Sequence, residues 1–256
     1  MIKFIHYKMN KNEVLKEHHI AKKASVSAGK LLLNKNSITE IFSSDKDIKL
    51  TADIQAEQSI KDIISAESSY PILAEESGKS VEKLGDTYWI IDPLDGTANY
   101  SRSIPISAVS ICLMHQLNPV LGVIYDFNND HLYEGSIFSD ALLNNQKIKV
   151  SSVDNSKSGM LITGLPNNTD YSDKALTRMI RDFQDWRKVR MLGSAAMAAA
   201  FVASGKADVY KEKNSYIWDV AAGAAIVKAA GGYVSLTNQN ESFQVDVFFS
   251  NGNILG

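Results

Sequence analysis

The sequence is short of cysteine, of proline and of any excess charge. One cysteine among 256 residues rules out an intramolecular disulfide, and five prolines are too few for a proline-rich linker. The net charge is only −2, with basic and acidic residues interspersed, so we expect no nucleic acid as a polyanionic partner. Long apolar runs are also missing. The most apolar window, Ala195–Ala203, has nine residues, whereas a helix needs roughly 20 to cross a bilayer.

What is present is the composition of an ordinary globular protein. Apolar residues make up 45% of the chain and charged residues 22%, which is typical of a folded domain with ample core. Residues Met1–Lys8 contain neither an apolar stretch nor a small-residue cleavage site, so we expect no signal peptide. Cys112 lies in an apolar, strand-like run and is predicted to be a small core residue. We therefore expect a soluble, cytoplasmic protein without membrane contact.

The hydrophobic pattern changes character near residue 147. Residues 1–146 predict two helices, at 12–34 and 54–66, a polar loop at 35–48, and several strands; the strands are expected in 71–77, 88–91, 108–114, 120–125 and 131–137. From 147 to 256 strands and helices alternate, which favours a more parallel α/β layer. The predicted fold is thus α+β for residues 1–146 and α/β for residues 147–256. No low-complexity linker separates the halves, so we expect one catalytic unit.

The stretch Trp89–Tyr100 (Trp-Ile-Ile-Asp-Pro-Leu-Asp-Gly-Thr-Ala-Asn-Tyr) carries the clearest motif. An apolar run ends at Asp92, and Pro93 then fixes φ near −65° and offers no amide proton. A second carboxylate, Asp95, follows on the same stiff turn, and Gly96 and Thr97 add backbone amides and a hydroxyl. Asp-Pro-x-Asp-Gly is also favourable turn chemistry, so turn formation alone is an alternative explanation.

Acidic residues recur where other apolar runs stop. Glu75 and Glu76 end one predicted strand, and Asp219 opens the helix after Trp218, where an N-cap belongs. Each acid alone could be a helix cap or a solvated turn residue, but acids at strand ends can converge. Oxygen ligands without accompanying cysteine indicate a hard cation such as Mg²⁺ rather than zinc.

Two predicted helix starts complement these acids. Gly193-Ser194-Ala195 begins an alanine-rich helix directly after a strand, and the amides of residues 95–97 follow another. Free amides at a helix start favour phosphate, although an ordinary strand-to-helix turn explains Gly193-Ser194 equally well. Phosphate-monoester hydrolysis needs an acceleration approaching ~10²¹-fold, far beyond the roughly 10²–10⁴-fold that carboxylate acid–base catalysis supplies. A metal-assisted phosphatase therefore fits better than a glycosidase, which stays open.

Taken together, these motifs resemble those of the inositol monophosphatase family. The matching segments are Ala-Glu-Glu-Ser (74–77), Ile-Asp-Pro-Leu-Asp-Gly-Thr-Ala-Asn-Tyr (91–100), Gly-Val-Ile-Tyr (122–125), Gly-Ser-Ala-Ala (193–196), Trp-Asp-Val-Ala-Ala-Gly (218–223) and Ser-Asn-Gly (250–252). The resemblance runs from about residue 47 to 252. It implies a layered α-β-α-β-α sandwich of the inositol monophosphatase / fructose-1,6-bisphosphatase type. It also implies a Mg²⁺-dependent, commonly lithium-sensitive phosphomonoesterase that is usually a homodimer.

The resemblance further implies roles for individual residues. Two Mg²⁺ ions, or three with a weaker one near Glu75, would be held by Glu75, Asp92, the Leu94 carbonyl, Asp95 and Asp219. Thr97, hydrogen-bonded to Asp53, would orient and help deprotonate the attacking water, and Glu75 would share in catalysis. The substrate would be contacted by Leu94, Asp95, Gly96, Thr97, Gly193, Ser194, Ala195, Glu212 and Asp219. Thr51-Ala52-Asp53 departs from the common family spacing of that threonine and aspartate by one residue.

The substrate is predicted less sharply than the chemistry. Thr97-Ala98-Asn99-Tyr100 is similar to the inositol-phosphate branch, and Glu212 fits a polyol-binding carboxylate, although it could equally be a solvated charge between two lysines. We therefore expect a small polyol or sugar phosphate such as inositol 1-phosphate. Ile217-Trp218-Asp219 looks closer to phosphatases of 3′-phosphoadenosine 5′-phosphate, which is the alternative. A non-catalytic sugar-phosphate or partner-binding protein is the alternative of another class.

Overall fold

The computed structural model describes residues 9–34, 40–43, 48–165 and 169–255. The helices are α1 (Lys11–Leu33), α2 (Thr51–Glu67), α3 (Thr97–Ser101), α4 (Asp173–Gln184), α5 (Ala195–Ala203) and α6 (Ile217–Ala229). The strands of the first half are β1 (Glu40–Ser43), β2 (Ile48–Leu50), β3 (Ile72–Ala74), β4 (Gly78–Lys79), β5 (Thr87–Asp95), β6 (Ala108–His115), β7 (Asn118–Asp126), β8 (His131–Ser136), β9 (Ser139–Leu143) and β10 (Gln146–Lys147). Those of the second half are β11 (Met160–Thr163), β12 (Lys188–Met191), β13 (Val209–Tyr216), β14 (Tyr233–Thr237) and β15 (Gln244–Ser250).

The elements stack in five layers. Helices α1 and α2 cover one face of an eight-stranded sheet with the order β10-β9-β8-β7-β6-β5-β3-β4. Helices α5 and α6 lie between that sheet and a five-stranded sheet with the order β12-β11-β13-β15-β14. Phe183 of α4 packs on the outer face of the smaller sheet. The predicted α-β-α-β-α sandwich is confirmed.

Local sequence explains why each helix suits its layer. Helix α1 begins after Asn10, whose side chain accepts the Glu13 amide as an N-cap, and only part of its surface is apolar because its other side faces water. Helices α5 and α6 are rich in alanine and buried almost throughout. A helix that is apolar on all sides belongs inside a protein, and small side chains let α5 and α6 approach both sheets.

Glycines mark the closest approaches of α6. A Cβ added to Gly122 of β7 would lie 2.8 Å from the backbone carbon of Ala222 and closer still to its oxygen. A Cβ added to Gly223 would overlap the Cβ of Ala199 in α5. The first contact is with backbone and the second with a side chain, so the two glycines are required for different reasons.

The first sheet places the predicted acids side by side. Strands β3 and β5 are parallel neighbours, with Ala74 opposite Ile91, so Glu75 and Asp92 follow at the same sheet edge. Strand β5 also pairs with β6, and its register shifts between Asp92 and Asp95: three residue steps on β5 match two on β6. Such a bulge reverses the alternation of side chains. Asp92 and Asp95 therefore face the same side, and Pro93, lacking an N–H, leaves no amide unpaired within the bulge.

The prediction of a polar loop at 35–48 is wrong in part. Residues 40–43 and 48–50 form the antiparallel pair β1–β2, while 35–39 and 44–47 lie outside the described residues.

The sheet formed by residues 147–256 is also less parallel than expected. Strand β11 runs parallel to β12 and β13, but β15, which the pattern did not reveal, is antiparallel to both β13 and β14. Strands β9 and β10 extend the first sheet beyond the predicted set.

The segment Met1–Lys8, where no signal peptide is expected, is outside the described residues. Among those described, no helix has the length and apolar character that crossing a membrane requires.

The two glycine contacts predict opposite responses to compensation. Gly223→Ala should lower the free energy of unfolding by about 1–3 kcal/mol through overpacking, and Ala199→Gly in the same chain should recover part of that loss. Gly122→Ala should be at least as costly, and Ala222→Gly should recover none of it, because the clash is with backbone. Denaturant unfolding of the four single and two double variants measures both couplings. Equal coupling energies in the two pairs would contradict the distinction between a side-chain clash at Gly223 and a backbone clash at Gly122.

Candidate metal centre and active-site cleft

Three carboxylates converge where the two sheets meet the middle helices. Carboxylate oxygens of Asp92, Asp95 and Asp219 all lie within 4.8 Å of one another. Asp92 and Asp95 come from the bulged end of β5, and Asp219 comes from the first turn of α6. The prediction that Asp219 opens its helix needs correction, because α6 begins at Ile217. Asp219 instead reaches back and accepts the backbone N–H of Tyr216 at 3.2 Å.

The electrostatics of this group are unfavourable for free carboxylates. Asp92 is 1% exposed and Asp95 7%. Burial raises the pKa of Asp92 well above its ordinary value, and the charges of Glu75, Asp95 and Asp219 raise it further. Burial likewise raises the pKa of Asp219, with Glu75 and Asp95 adding to the shift. Neighbouring carboxylates disfavour each other's charged forms.

The donor set fits a divalent cation. None of the salt bridges found among the described residues reaches Asp92, Asp95 or Asp219. A buried cluster of acids without a basic partner is costly unless a cation compensates it. Several carboxylate oxygens are the ligands that Mg²⁺ and Ca²⁺ prefer. Glu75, another predicted ligand, shares a hydrogen bond with Asp92. Leu94, whose carbonyl is the last predicted ligand, donates its amide to Asp92 at 2.9 Å, and that carbonyl lies 2.9 Å from Thr97 Oγ1.

Glu75 occupies the outer side of the cluster. Glu75 is exposed, unlike the buried Asp92 and Asp95. Even so, the protein atoms around its carboxyl group raise its pKa to about 8, an effect that the hydrogen bond with Asp92 opposes. The predicted strand end at Glu75 and Glu76 is found, and the Glu76 backbone amide donates to Glu57 of α2 at 2.9 Å. Glu75 shares a hydrogen bond with Asp92, and the charge of Glu76 adds to the raised pKa of Glu75.

Asp95 connects the cluster to the second half of the chain. Its carboxylate accepts the Ser194 hydroxyl, the Ala195 amide at 3.2 Å and the Ala196 amide at 3.0 Å. Burial raises the pKa of Asp95 to about 6, although these donors oppose the shift. The sequence predicts phosphate at this helix start. In the structure these N–H groups hold Asp95, so the start of α5 orients a candidate metal ligand.

Thr97 and Asp53 lie together beside the cluster, as the resemblance implies. Thr97 Oγ1 is 3.3 Å from Asp53 Oδ1 and 2.9 Å from the Leu94 carbonyl oxygen, to either of which it can donate. Asp53 Oδ2 accepts the Leu50 amide at 2.6 Å. Burial raises the pKa of Asp53 to about 7. Because α2 begins at Thr51, Asp53 is held in the first helical turn and points at Thr97 despite the unusual Thr51–Asp53 spacing.

A cleft of about 250 Å³ opens from the acid cluster. It is lined by the predicted residues Asp95, Gly193, Ser194, Ala195, Glu212 and Asp219. Leu94, Gly96 and Thr97, the other predicted substrate-binding residues, are not on its wall and adjoin it through Asp95. Glu212 is half-buried rather than a free surface charge. Burial raises its pKa to about 7, although the Tyr210 hydroxyl, which donates to Oε2 at 3.2 Å, opposes the shift.

Several cleft residues were not predicted. Gly164, Tyr216 and Gln244 also line the wall. The Tyr216 ring stacks on Trp218 with centroids 4.7 Å apart and planes at 6°. An aromatic residue three positions before a predicted metal ligand is a sequence signal that could have indicated Tyr216. Gly164 has no such local signal, because its importance depends on a neighbouring strand.

Asn99 and Tyr100, the sequence clue to the substrate, both have structural contacts. The Asn99 side-chain amide donates to the carbonyls of Ile106 and Leu192, each at 2.8 Å. It also fills the space beside Gly193, where an added Cβ would lie 3.1 Å from it. The Tyr100 hydroxyl donates to Leu32 O at 2.5 Å in α1. Asn99 joins two connecting segments and Tyr100 joins α3 to α1, so both say less about the substrate than their position in the motif suggests.

The raised pKa values predict how cation binding and pH affect stability. An acid whose folded pKa is raised contributes stability that is present below its unfolded pKa and is lost as pH rises through the folded pKa. For these acids that window runs from ordinary values of 3.8–4.5 to about 6–8. Without divalent cations, Tm should therefore fall between about pH 5 and 8, and added Mg²⁺ should raise it more at pH 8.

Thermal unfolding in EDTA and in Mg²⁺ measures this dependence. Asp219→Asn is the matched control, because it removes one charge from the cluster and should weaken both the pH effect and the Mg²⁺ effect. An unchanged response in that variant would show that groups elsewhere in the chain cause the pH dependence.

Comparison with known proteins places this arrangement in a family. The sequence profile described as the inositol monophosphatase family matches residues 11–255. The chain is 38% identical over 222 residues to the "Nus factor SuhB" of Xylella fastidiosa, covering 84% of this chain and 80% of that protein. It is 39% identical over 199 residues to the "Inositol-1-monophosphatase" of Synechocystis sp., covering 74% and 67%.

The three-dimensional comparison agrees. The inositol monophosphatase from Anabaena (Nostoc) sp. PCC 7120 superposes with a TM-score of 0.82 at 32% identity, covering 94% of this chain and 92% of that one. This chain therefore belongs to the inositol monophosphatase family, whose members are metal-dependent phosphoric monoester hydrolases.

Proposed function

We propose that this protein is a Mg²⁺-dependent phosphatase that hydrolyses a small polyol or sugar phosphate such as inositol 1-phosphate. The observation that carries the proposal is the buried acid cluster, which has no salt bridge to a basic side chain in the described part of the chain and opens directly into a cleft of about 250 Å³. The cluster provides a place for cations, and the cleft provides a place for an ester beside them.

The residues that would hold Mg²⁺ are Glu75, Asp92, the Leu94 carbonyl, Asp95 and Asp219. When bound, the cation neutralises the phosphate, polarises the ester and lowers the pKa of water. The protein contributes rigidity. The bulge of β5 fixes two of the acids, and the start of α5 fixes the orientation of Asp95 through three donors. The ion count of two or three, like the homodimer, stays a prediction from the family resemblance.

Thr97 and Asp53 would orient the attacking water and take its proton. The Thr97 hydroxyl can accept from water only if its own proton is donated elsewhere, and Asp53 Oδ1 lies within reach at 3.3 Å. Asp53 is held in place by the Leu50 amide. The backbone amides of Gly96 and Thr97 at the start of α3 would contact phosphate oxygens.

Glu212 would recognise the hydroxyls of the substrate. It lies on the cleft wall together with Asp219, and a carboxylate that accepts hydrogen bonds suits a polyol. A phosphatase of 3′-phosphoadenosine 5′-phosphate is the second candidate. The observation that favours it is the stacked pair Tyr216–Trp218 beside Asp219, since an aromatic face on the wall suits a planar base.

Phosphate release tests the proposed reaction and separates the candidates. The protein should release phosphate from inositol 1-phosphate in Mg²⁺ and not in EDTA, with a higher kcat/KM than for 3′-phosphoadenosine 5′-phosphate. Asp219→Asn should lower kcat at least about 100-fold, because even outer-shell changes at metal sites cost 10–100-fold. Asp140→Asn, which changes an exposed acid paired with Lys147, is the matched control and should retain full activity. The proposal would be refuted if Mg²⁺-dependent phosphate release were absent with inositol 1-phosphate, with other sugar phosphates and with 3′-phosphoadenosine 5′-phosphate.

The hydroxyl of Thr97 can be tested separately. Thr97→Val keeps the shape of the side chain and removes the hydroxyl, so kcat should fall by about 10²–10⁴-fold, while Thr97→Ser should keep most of the activity. Mg²⁺ binding, measured by calorimetry, should change little in either variant. A Thr97→Val enzyme with near-normal kcat would exclude this residue from water activation.

A further inference from the structure

We propose that Gly164 is a positioning residue for substrate recognition: its missing side chain makes the room in which the Glu212 carboxylate lies on the wall of the cleft. The inference rests on the proposed function, because it concerns how that cleft would distinguish polyol phosphates from other esters.

Strand register brings the two residues together. Strand β11 runs parallel to β13, with Leu161 opposite Val209 and Ile162 opposite Tyr210. Continuing that register by two residues beyond Ile162 places Gly164 opposite Glu212. Side chains at paired positions of neighbouring strands lie on the same face and contact each other. At this pair one side chain is absent, so the other can lie over the empty position.

The contact between them is close. A Cβ built on Gly164 would lie 2.8 Å from Glu212 Cδ and 3.1 Å from Oε1, and nearer still to Oε2. The three nearest atoms that it would meet all belong to the Glu212 carboxylate. The backbone of Gly164 does not have a positive φ. Its lack of a side chain therefore serves the position of Glu212 and not an unusual backbone conformation.

The position of Glu212 matters because it lies between two cavities. The cleft next to the acids and a second cavity of about 620 Å³ share Thr163, Gly164, Leu165, Glu212 and Asn214 on their walls. On one side the carboxylate accepts the Tyr210 hydroxyl at 3.2 Å. A methyl group on Gly164 would displace the Glu212 carboxylate from this position, because the flexible end of a side chain moves more easily than the backbone of two paired strands.

The test is a double-mutant cycle between Gly164 and Glu212. Gly164→Ala should lower kcat/KM for inositol 1-phosphate about 10- to 100-fold, the equivalent of one hydrogen bond to a charged group, with the change mainly in KM. The fall should be smaller for phenyl phosphate, which has no hydroxyls for Glu212 to recognise. In the Glu212→Ala background, Gly164→Ala should add little further loss, since the clash is gone.

The conservative variant gives an independent control. Glu212→Asp shortens the side chain by one methylene, so Gly164→Ala should cost less in that background than in the unsubstituted protein. Equal losses of kcat/KM for both esters, or full additivity with Glu212→Ala, would overturn the proposal, because either result means that Gly164 does not act through Glu212.

A crystal structure of the Gly164→Ala variant supplies a readout that needs no catalysis. The Glu212 carboxylate should move by about 1 Å or more to restore ordinary van der Waals contact. A carboxylate that stays in place while β11 shifts would refute the inference. Failure of the proposed function is recognised separately, because it requires that the unsubstituted protein release no phosphate with Mg²⁺.

Discussion

Repulsion among buried carboxylates is the constraint on which the rest of this structure depends. Carboxylate oxygens of Asp92, Asp95 and Asp219 lie within 4.8 Å of one another. Backbone and hydroxyl donors hold these acids in place, and no salt bridge from a described basic residue reaches them. The bulge of β5 turns Asp92 and Asp95 to one side, the start of α5 holds Asp95, and the amide of Tyr216 holds Asp219. A cation bound here would relieve this repulsion, which is why the arrangement favours a positively charged ligand.

The sequence contains much of this site because most ligands belong to short motifs. Asp92 and Asp95 could be predicted from one turn, and Asp219 from the motif that includes Trp218. The helices were predictable from local patterns too: apolar periodicity marks α1 and α2, and alanine-rich runs mark α5 and α6. Strands β9 and β10 escaped prediction because both are short and β10 is polar, so their pattern does not stand out from that of loops. Strand β15 does alternate, with Val245, Val247 and Phe249 buried, so its pattern is visible in the sequence although it was not predicted.

What could not be predicted depends on contacts between distant parts of the chain. The bond between Asp95 and the amide of Ala196 joins residues 101 positions apart, and the contact of Gly164 with Glu212 needs the register of two strands. Asn99 shows the converse. Its place in the family motif suggested substrate recognition, whereas its side-chain amide ties together the carbonyls of Ile106 and Leu192. A motif identifies the residues that must be present, but only packing shows which of them face the cleft.

The attachment of Asp95 to α5 has a consequence for how the set of metal ligands is assembled. Asp95 ends a strand of the first sheet, while its donors begin a helix that covers the second, and Asp219 arrives from a helix shared by both. The ligand set is therefore divided between segments that are distant along the chain, and neither the first 146 residues nor the remainder contains it whole. Because the candidate ligands come from both halves, the complete set forms only when the two halves are folded and docked against each other.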